Sequence, residues 1–440
     1  MKIERLRGFR DLYPEDMEPK DMFLEVAKRV ARSFGYSMID YPSLEPMELY
    51  MEKSGDELVG QTFSFTDRGG RHVTMLPEAT PSVMRMLTSR KDIPRPVRWF
   101  GIPKLWRYEE PQQGRLREHF QINADLFGPD NPEADAEIIS LAASILQESG
   151  LNGKFHIHLN SRELMDHILK FTGISDSGKA LNLIDRFHKM EENDFKEQIR
   201  EMLPEGSDTT PIIGILKTRL DPSDLLRLIS RDFPEKSIEP ILERLVRTSE
   251  LVAGYTGIRP LVDLSVVRGL SYYTGTVFEF MDAEGSFRSI AGGGRYNRLS
   301  TMFSDQEIPA VGFGMGDMVV ELMLRKNNLW KAQEPDASAY MISVSREGFD
   351  ACTVIARYFR SAGIKTRMDL SGRGLVNQIR NASSSGYRFA VIIGESELKN
   401  NSAGIKDMKS GEQWNVPLNS TEKMADSILK AIKSDTGLKN

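Results

Sequence analysis

The sequence contains one cysteine, Cys352, which excludes an intrachain disulfide and any cysteine-cluster metal site. Histidine is scarce as well, with six in 440 residues. His156 and His158 alternate in KFHIHLN and would share one face of a strand, but no third ligand stands nearby. No metal site built from protein alone is expected. No apolar run reaches membrane-spanning length, and the opening MKIERLRGFRDLYP lacks an apolar core of signal-peptide length. These absences predict a cytoplasmic protein with no membrane partner. Internal repeats and low-complexity tracts are also missing, which argues against solenoids and arrays.

What is present is ordinary in bulk and uneven in detail. Charged residues make up 28% and hydrophobic ones 40%, the balance of a soluble globular chain. The length allows roughly two to four domains. The net charge of −5 is unevenly spread. Residues 336–440 carry 15 Lys+Arg against 11 Asp+Glu, leaving 43 against 52 in the remainder. A basic C-terminal module on an acidic body is compatible with an attached nucleic-acid-reading domain.

The apolar spacing of Phe23, Val26, Ala27, Val30 and Phe34 predicts a helix from Pro19 to Gly35, followed by an extended piece stopped by Pro42. Residues 98–127 read as strands around the polar turn EEPQQGRLRE, and 131–150 as a second helix. From 161 to 257 the chain is rich in Leu, Ile, Lys and Glu at helical spacing, which predicts a helical insertion. Strand patterns resume at Leu261, pass a turn at DAEG, and close with VGFGMGD and a helix. The segment NLWKAQEPDA reads as a linker. Beyond it, strands and helices alternate as in a small α/β layer domain. The expected boundaries are a core of 1–160 and 258–327, an insertion of 161–257, a linker of 328–337 and a final domain of 338–440.

The stretch richest in chemistry is VVRGLSYYTGTVFEF, residues 266–280. An apolar strand delivers a lone arginine, Arg268, beside Gly269 and two tyrosines. A charge there is costly unless it meets a partner, and the glycine lets a ligand approach the backbone. A second stretch, PKLWRYEEPQQGRLREHFQINADLFG, crowds Arg107, Arg115 and Arg117 with Glu109, Glu110, Glu118 and Asp125. Arginine forks bind phosphate oxygens bidentately, while a carboxylate organises Mg²⁺ or an amino group. GGGRY at 292–296 lacks the Lys-Ser/Thr of a phosphate loop, and GFGMG at 312–316 has the wrong spacing for a dinucleotide fingerprint. Both read as backbone lying close to a ligand.

Together these stretches resemble the histidyl-tRNA synthetase family of class II aminoacyl-tRNA synthetases. RGLSYYTG is similar to that family's first histidine-specific signature, and GGGRY to the second. PKLWRYEEPQQGRLREHFQINADLFG looks like motif 2, GYSMIDYPSLEP like motif 1 and VGFGMGD like motif 3. The likeness extends to SGRGLVNQIRNASSSGYRFAVIIGESE, which is similar to the anticodon-binding domain. The resemblance implies an α+β fold: a class II antiparallel-sheet catalytic domain with a helical insertion, plus a C-terminal α/β anticodon-binding domain. It implies a homodimer, with Pro42 at its interface, that uses ATP with Mg²⁺ and charges tRNA(His) with histidine.

Carried over by position, Glu78 and Thr80, with Gln121, would hold the α-amino group of histidine, and Ala79 would also contact the histidine. Arg107 and Arg268 would hold its carboxylate and the α-phosphate, and with Gln121 these are the expected catalytic residues. Asp125, Tyr272, Tyr273 and Tyr296 would line the imidazole pocket. Arg107, Glu109, Arg115, Arg117 and His119 would serve ATP, and Gln112 would touch the acceptor stem. Three positions depart from the pattern. Asp125 stands where bacterial-type members carry Glu, and the ring over adenine falls at either His119 or its neighbour Phe120. Val319 occupies the place of the motif 3 arginine. Two rivals are a regulatory paralogue, which lacks the C-terminal domain, and a class II enzyme for glycine, threonine or proline.

Overall fold

The structure is a computed structural model that describes residues 3–51, 56–232, 237–268, 272–287, 289–331 and 337–435. Gly269 and residues 332–336 of the expected linker lie outside that set. The chain divides into two compact units, Met1–Lys331 and Ala332–Asn440.

The first unit is built on a ten-stranded sheet. In chain order its strands are β1 (Ser37–Met38), β2 (Val97–Gly101), β3 (Lys104–Trp106), β4 (Glu118–Phe127) and β5 (Phe155–Ser161). Then come β6 (Arg219–Leu220), β7 (Leu261–Asp263), β8 (Thr276–Asp282), β9 (Ala291–Arg295) and β10 (Ala310–Gly316). The spatial order is β1-β2-β4-β10-β9-β8-β5-β7-β6, with β3 also paired to β4. From β2 through β5 every neighbour is antiparallel, while β1 and β7 add in parallel.

Strand alternation sorts β4 between two cores. Ile122, Ala124 and Leu126 join a large cluster with Phe23, Ala27, Ile138, Leu141 and Phe278, under α1 (Pro14–Ser33) and α3 (Pro132–Leu146). Phe127 falls in a second cluster with Tyr50, Leu76, Val83, Tyr272, Tyr273 and Tyr296, where α2 (Thr80–Thr88) packs. Gln121, Asn123 and Asp125 therefore point toward the second side.

Helix α1 starts at Pro14, earlier than the spacing predicted, and carries Pro19 inside it. Pro14 takes a first-turn position where its missing N–H costs nothing. Pro19 gives up one helical hydrogen bond, but it and Lys20 are buried, and the Lys20 ammonium is 2.7 Å from Asp317 at the start of α5 (Asp317–Lys326). Residues 161–257 hold helices as the spacing suggested, ending in α4 (Glu239–Thr256) and a left-handed Gly257. They are not a separate body: Phe195, Ile212 and Leu242 share the large cluster, and β6 joins the sheet through β7.

The second unit has five strands: β11 (Ser338–Ile342), β12 (Lys365–Met368), β13 (Phe389–Ile392), β14 (Ser402–Asp407) and β15 (Gln413–Pro417). The order is β12-β11-β13-β14-β15, parallel around β11 and antiparallel beyond β13. The β14–β15 hairpin escaped the sequence reading because only Ala403, Ile405 and Val416 mark it as half-buried strand. No helix of the described residues is long and apolar enough to cross a membrane.

Candidate active site

The site lies on the face of the sheet where β10 and β9 offer only glycine. Gly292 and Gly294 of β9 stand opposite Gly314 and Gly312 of β10, and Gly312 stands opposite Asp125 of β4. Glycine weakens a strand unless something must lie close above it. Here something does. An added Cβ would overlap the Arg268 guanidinium at Gly292, the Tyr273 ring at Gly294, the Asp125 carboxylate at Gly312 and the Gln121 amide at Gly314. The bare floor lets these four side chains lie flat along the sheet.

Two buried phenol–carboxylate pairs rise from the floor. Tyr296 donates to Asp125, and Tyr272 donates to Glu78 at the start of α2. Tyr272, Tyr273 and Tyr296 pack against one another with centroids 5.2–6.5 Å apart. Burial drives the electrostatics. Desolvation raises the Asp125 carboxyl to about 7, against a weaker lowering by the Tyr296 bond, while the Glu78 charge raises it further. Burial also lifts Glu78, although Tyr272 and Arg107 oppose the lift, and it pushes the Tyr273 hydroxyl up to about 12.

Cations surround the neighbouring stretch. Arg107 follows β3 and donates from Nε to the Pro77 carbonyl at 2.9 Å, one residue from Glu78. Arg115 is half-exposed and pairs with Glu109 at 3.0 Å. Arg117 is more committed: it lies 3.9 Å over the Tyr108 ring and donates to the Glu109 carbonyl. Arg268 donates to Glu279 at 2.8 Å. Burial, with Arg107 adding to it, lowers His119 to about 3, so its ring is neutral. Phe120 turns to the opposite face, with the Lys20 ammonium 3.7 Å from its centroid. Of the two rings, His119 is the one on the face with Gln121.

Among the described residues, Glu78 Oε2, an acceptor, and Arg268 Nε, a donor, are buried here without a partner. Unmatched buried groups are uncommon in folded proteins, and a ligand is one way to match them. A cation-binding carboxylate beside an anion-binding guanidinium suits a zwitterionic amino acid. The Tyr41 hydroxyl, also buried and unpartnered, sits over Gly101 near Asp125. Motif 1 signalled this stretch only through Pro42.

Comparison with known proteins agrees with this geometry. The family model of histidyl-tRNA synthetase matches residues 8–317, and that of an anticodon-binding domain matches 338–427. The chain belongs to the histidyl-tRNA synthetase family. It is 48% identical over 419 residues to the histidine–tRNA ligase of Thermoplasma volcanium, covering 95% of this chain and 97% of that protein. It is 49% identical over 413 residues to that of Picrophilus torridus, covering 94% and 97%. A histidyl-tRNA synthetase structure from Nostoc sp. PCC 7120 has the same fold, with a TM-score of 0.82 at 23% identity, over 98% of this chain and all of that one.

Of the residues carried over from the histidyl-tRNA synthetase signatures, Glu78, Gln121, Asp125, Arg268, Tyr272, Tyr273 and Tyr296 gather over or beside the glycine floor. Ala79 and Thr80 are buried at the start of α2. Gln121 donates to Asn123 at 3.0 Å. Gln112 is exposed on the turn between β3 and β4, where its backbone bridges to Arg115. Gly269, the glycine beside Arg268, lies outside the described residues. A cavity of about 930 Å³ adjoins this site without containing it. It shares Tyr272 and Tyr273, and is lined elsewhere by Arg162, Asp166, Arg244 and Glu307.

The raised Asp125 carboxyl makes stability depend on pH. The folded state binds its proton up to about pH 7, whereas the unfolded chain releases it near 3.8. The stabilising contribution is therefore complete below pH ~4 and is lost as pH rises through 7. Between pH 5.5 and 8.5 the ligand-free protein should lose about 2 kcal/mol from this group. Urea unfolding at both pH values checks it: Asp125→Asn should flatten the difference, and an equal pH slope in both proteins would refute the assignment.

Proposed function

We propose that this chain activates histidine with ATP and transfers it to the 3′ end of tRNA(His), as a cytoplasmic homodimer. The observation that carries the proposal is the pair of orphaned buried atoms, Glu78 Oε2 and Arg268 Nε, beside one tyrosine cluster. Glu78 would take the α-amino group, supported by Thr80 and Gln121. Asp125 and the tyrosines would take the imidazole, whose two nitrogens both need partners. Arg107 and Arg268 would take the carboxylate and the α-phosphate, His119 would face the adenine, and Gln112 would meet the acceptor stem. Mg²⁺ would enter with the nucleotide.

The histidine carboxylate attacks the α-phosphorus in line, pyrophosphate leaves, and a hydroxyl of the terminal ribose then displaces AMP from the adenylate. The protein supplies no nucleophile. Arg107 and Arg268 orient the reacting groups and oppose the charge that develops on the α-phosphate. Pyrophosphate–ATP exchange by the purified protein, run against a panel of amino acids, tests the reading. Exchange with histidine alone supports it; exchange with glycine, threonine or proline, or with none, refutes it.

We infer that Arg115 takes the part of the motif 3 arginine. Val319 packs against the β3–β4 turn, its Cγ2 about 3.2 Å from where a Gly114 Cβ would stand. Arg115 follows Gly114 and, among the described residues, its side chain is held by Glu109 alone, so it is the arginine placed to reach outer phosphates from there. Arg117 is tied down by Tyr108 and the Glu109 carbonyl. Arg115→Ala should raise the ATP KM about tenfold, the size of one charge-assisted hydrogen bond, with the histidine KM unchanged. Steady-state exchange kinetics check this, and an unaltered ATP KM would remove Arg115 from the role.

Residues 332–440 form their own unit with their own core around Phe359, Phe389 and Ile405. Deleting them should spare histidine activation and weaken tRNA charging. Parallel loss of both activities in a folded truncation would contradict that division.

A further inference from the structure

We propose that Glu279 is a positioning residue that aims Arg268: it holds one guanidinium nitrogen so that the opposite edge meets the anionic substrate. The proposal rests on the reading of the site given above. A guanidinium has two edges suited to a bidentate anion. Glu279 accepts from Nη1 at 2.8 Å, and Nη1 belongs to only one of those edges. The other edge includes Nε, which is buried and has no partner among the described residues. One side of the fork is thus pinned, and the other is left with an unmet donor.

The backbone points the same way. Arg268 has φ +58°, a left-handed conformation that costs a non-glycine residue energy. Strain of this kind persists where the surroundings impose it, and it concentrates at functional sites. The Arg268–Glu279 pair keeps only a quarter and a fifth of its side-chain surface exposed, so the cost of desolvation offsets much of what the ion pair contributes to stability. Its value lies in direction. Glu279 stands directly opposite Gly292 in the sheet, and Gly292 is the floor position where a Cβ would overlap the guanidinium. One strand therefore leaves the space and the next supplies the anchor.

On its other side Glu279 stands opposite His158, which pairs with Asp263 at 3.1 Å. Asp263 is held in turn by Arg219 at 2.8 Å and the Ser265 N–H at 3.0 Å. Glu279 is thus on a strand whose neighbours are themselves tied down, as an anchor requires.

The test is a cycle of full-length variants, Glu279→Gln, Arg268→Ala and the double substitution, in histidine-dependent pyrophosphate–ATP exchange. Glu279→Gln should lower kcat by about 10–100-fold, more than it raises either KM, as expected when a catalytic group is misdirected. In the Arg268→Ala background the same substitution should change kcat less than about twofold, because its effect passes through Arg268. A kcat near wild type, or the same loss in both backgrounds, overturns the proposal. If Glu279→Gln does not fold, Glu279→Asp carries the cycle with the charge retained. A wild-type protein that exchanges nothing with histidine refutes the functional reading instead.

Discussion

Replacing Arg268 by alanine is expected to cut histidine-dependent adenylation by roughly 10²–10³, the usual effect of removing a donor aimed at developing transition-state charge. The expectation rests on three features. The guanidinium lies over Gly292, its Nε has no partner among the described residues, and its backbone is held at φ +58°. The conformation supplies a control that separates catalysis from folding. Alanine keeps the left-handed strain of about 1–2 kcal/mol, while glycine releases it. Arg268→Gly should therefore unfold at higher denaturant than Arg268→Ala and yet be equally slow. Near-normal exchange in either variant would remove Arg268 from the chemistry. Equal stability of the two would show that its backbone is relaxed.

The sequence pattern reached some features of this site and missed others, for physical reasons. Gln121 and Asp125 were legible together because strand alternation puts residues four apart on one face. GGGRY and GFGMG were legible as close-approach backbone, and the register now gives each of Gly292, Gly294, Gly312 and Gly314 a side chain that lies over it. His119 and Phe120 could not be separated until the strand ends were known, since neighbours in a strand face opposite ways. Glu279 was hidden inside VFEF, where a single carboxylate reads as an ordinary surface interruption of a strand. Its partner is eleven positions away, beyond any local periodicity. Gly269 was read as the place where a ligand nears the backbone, and the left-handed conformation of Arg268 had no signal in the sequence. The network of Arg10, Lys20, Asp317 and Glu321 joins residues about 300 positions apart and has no local signal. The helical content of 161–257 was plain in its spacing. Its fusion with the main core was not, because an amphipathic face shows that something covers it, without showing what.

Asp125→Asn is expected to raise the histidine KM by about one to two orders of magnitude and to leave the ATP KM nearly unchanged. The side chain is buried, lies over Gly312, and accepts from Tyr296 at one oxygen, so a second acceptor position can receive an imidazole N–H. Hydrogen bonds to a charged acceptor are worth ~1.5–3 kcal/mol net, and a neutral amide of the same shape forfeits most of that. The proton equilibrium adds a signature that a merely structural aspartate would lack. Ionisation near pH 7 turns Asp125 into the better acceptor as pH rises, while free imidazole loses its own proton near ~6.5. Histidine affinity of the wild type should therefore improve through pH 7, reflecting both groups. The Asn variant should retain only the shallower step of the ligand itself. Steady-state exchange from pH 6 to pH 8.5 measures both. If the two proteins share one pH profile, Asp125 does not hold the imidazole. If ATP and histidine binding weaken together, it supports the β3–β4 arginines instead.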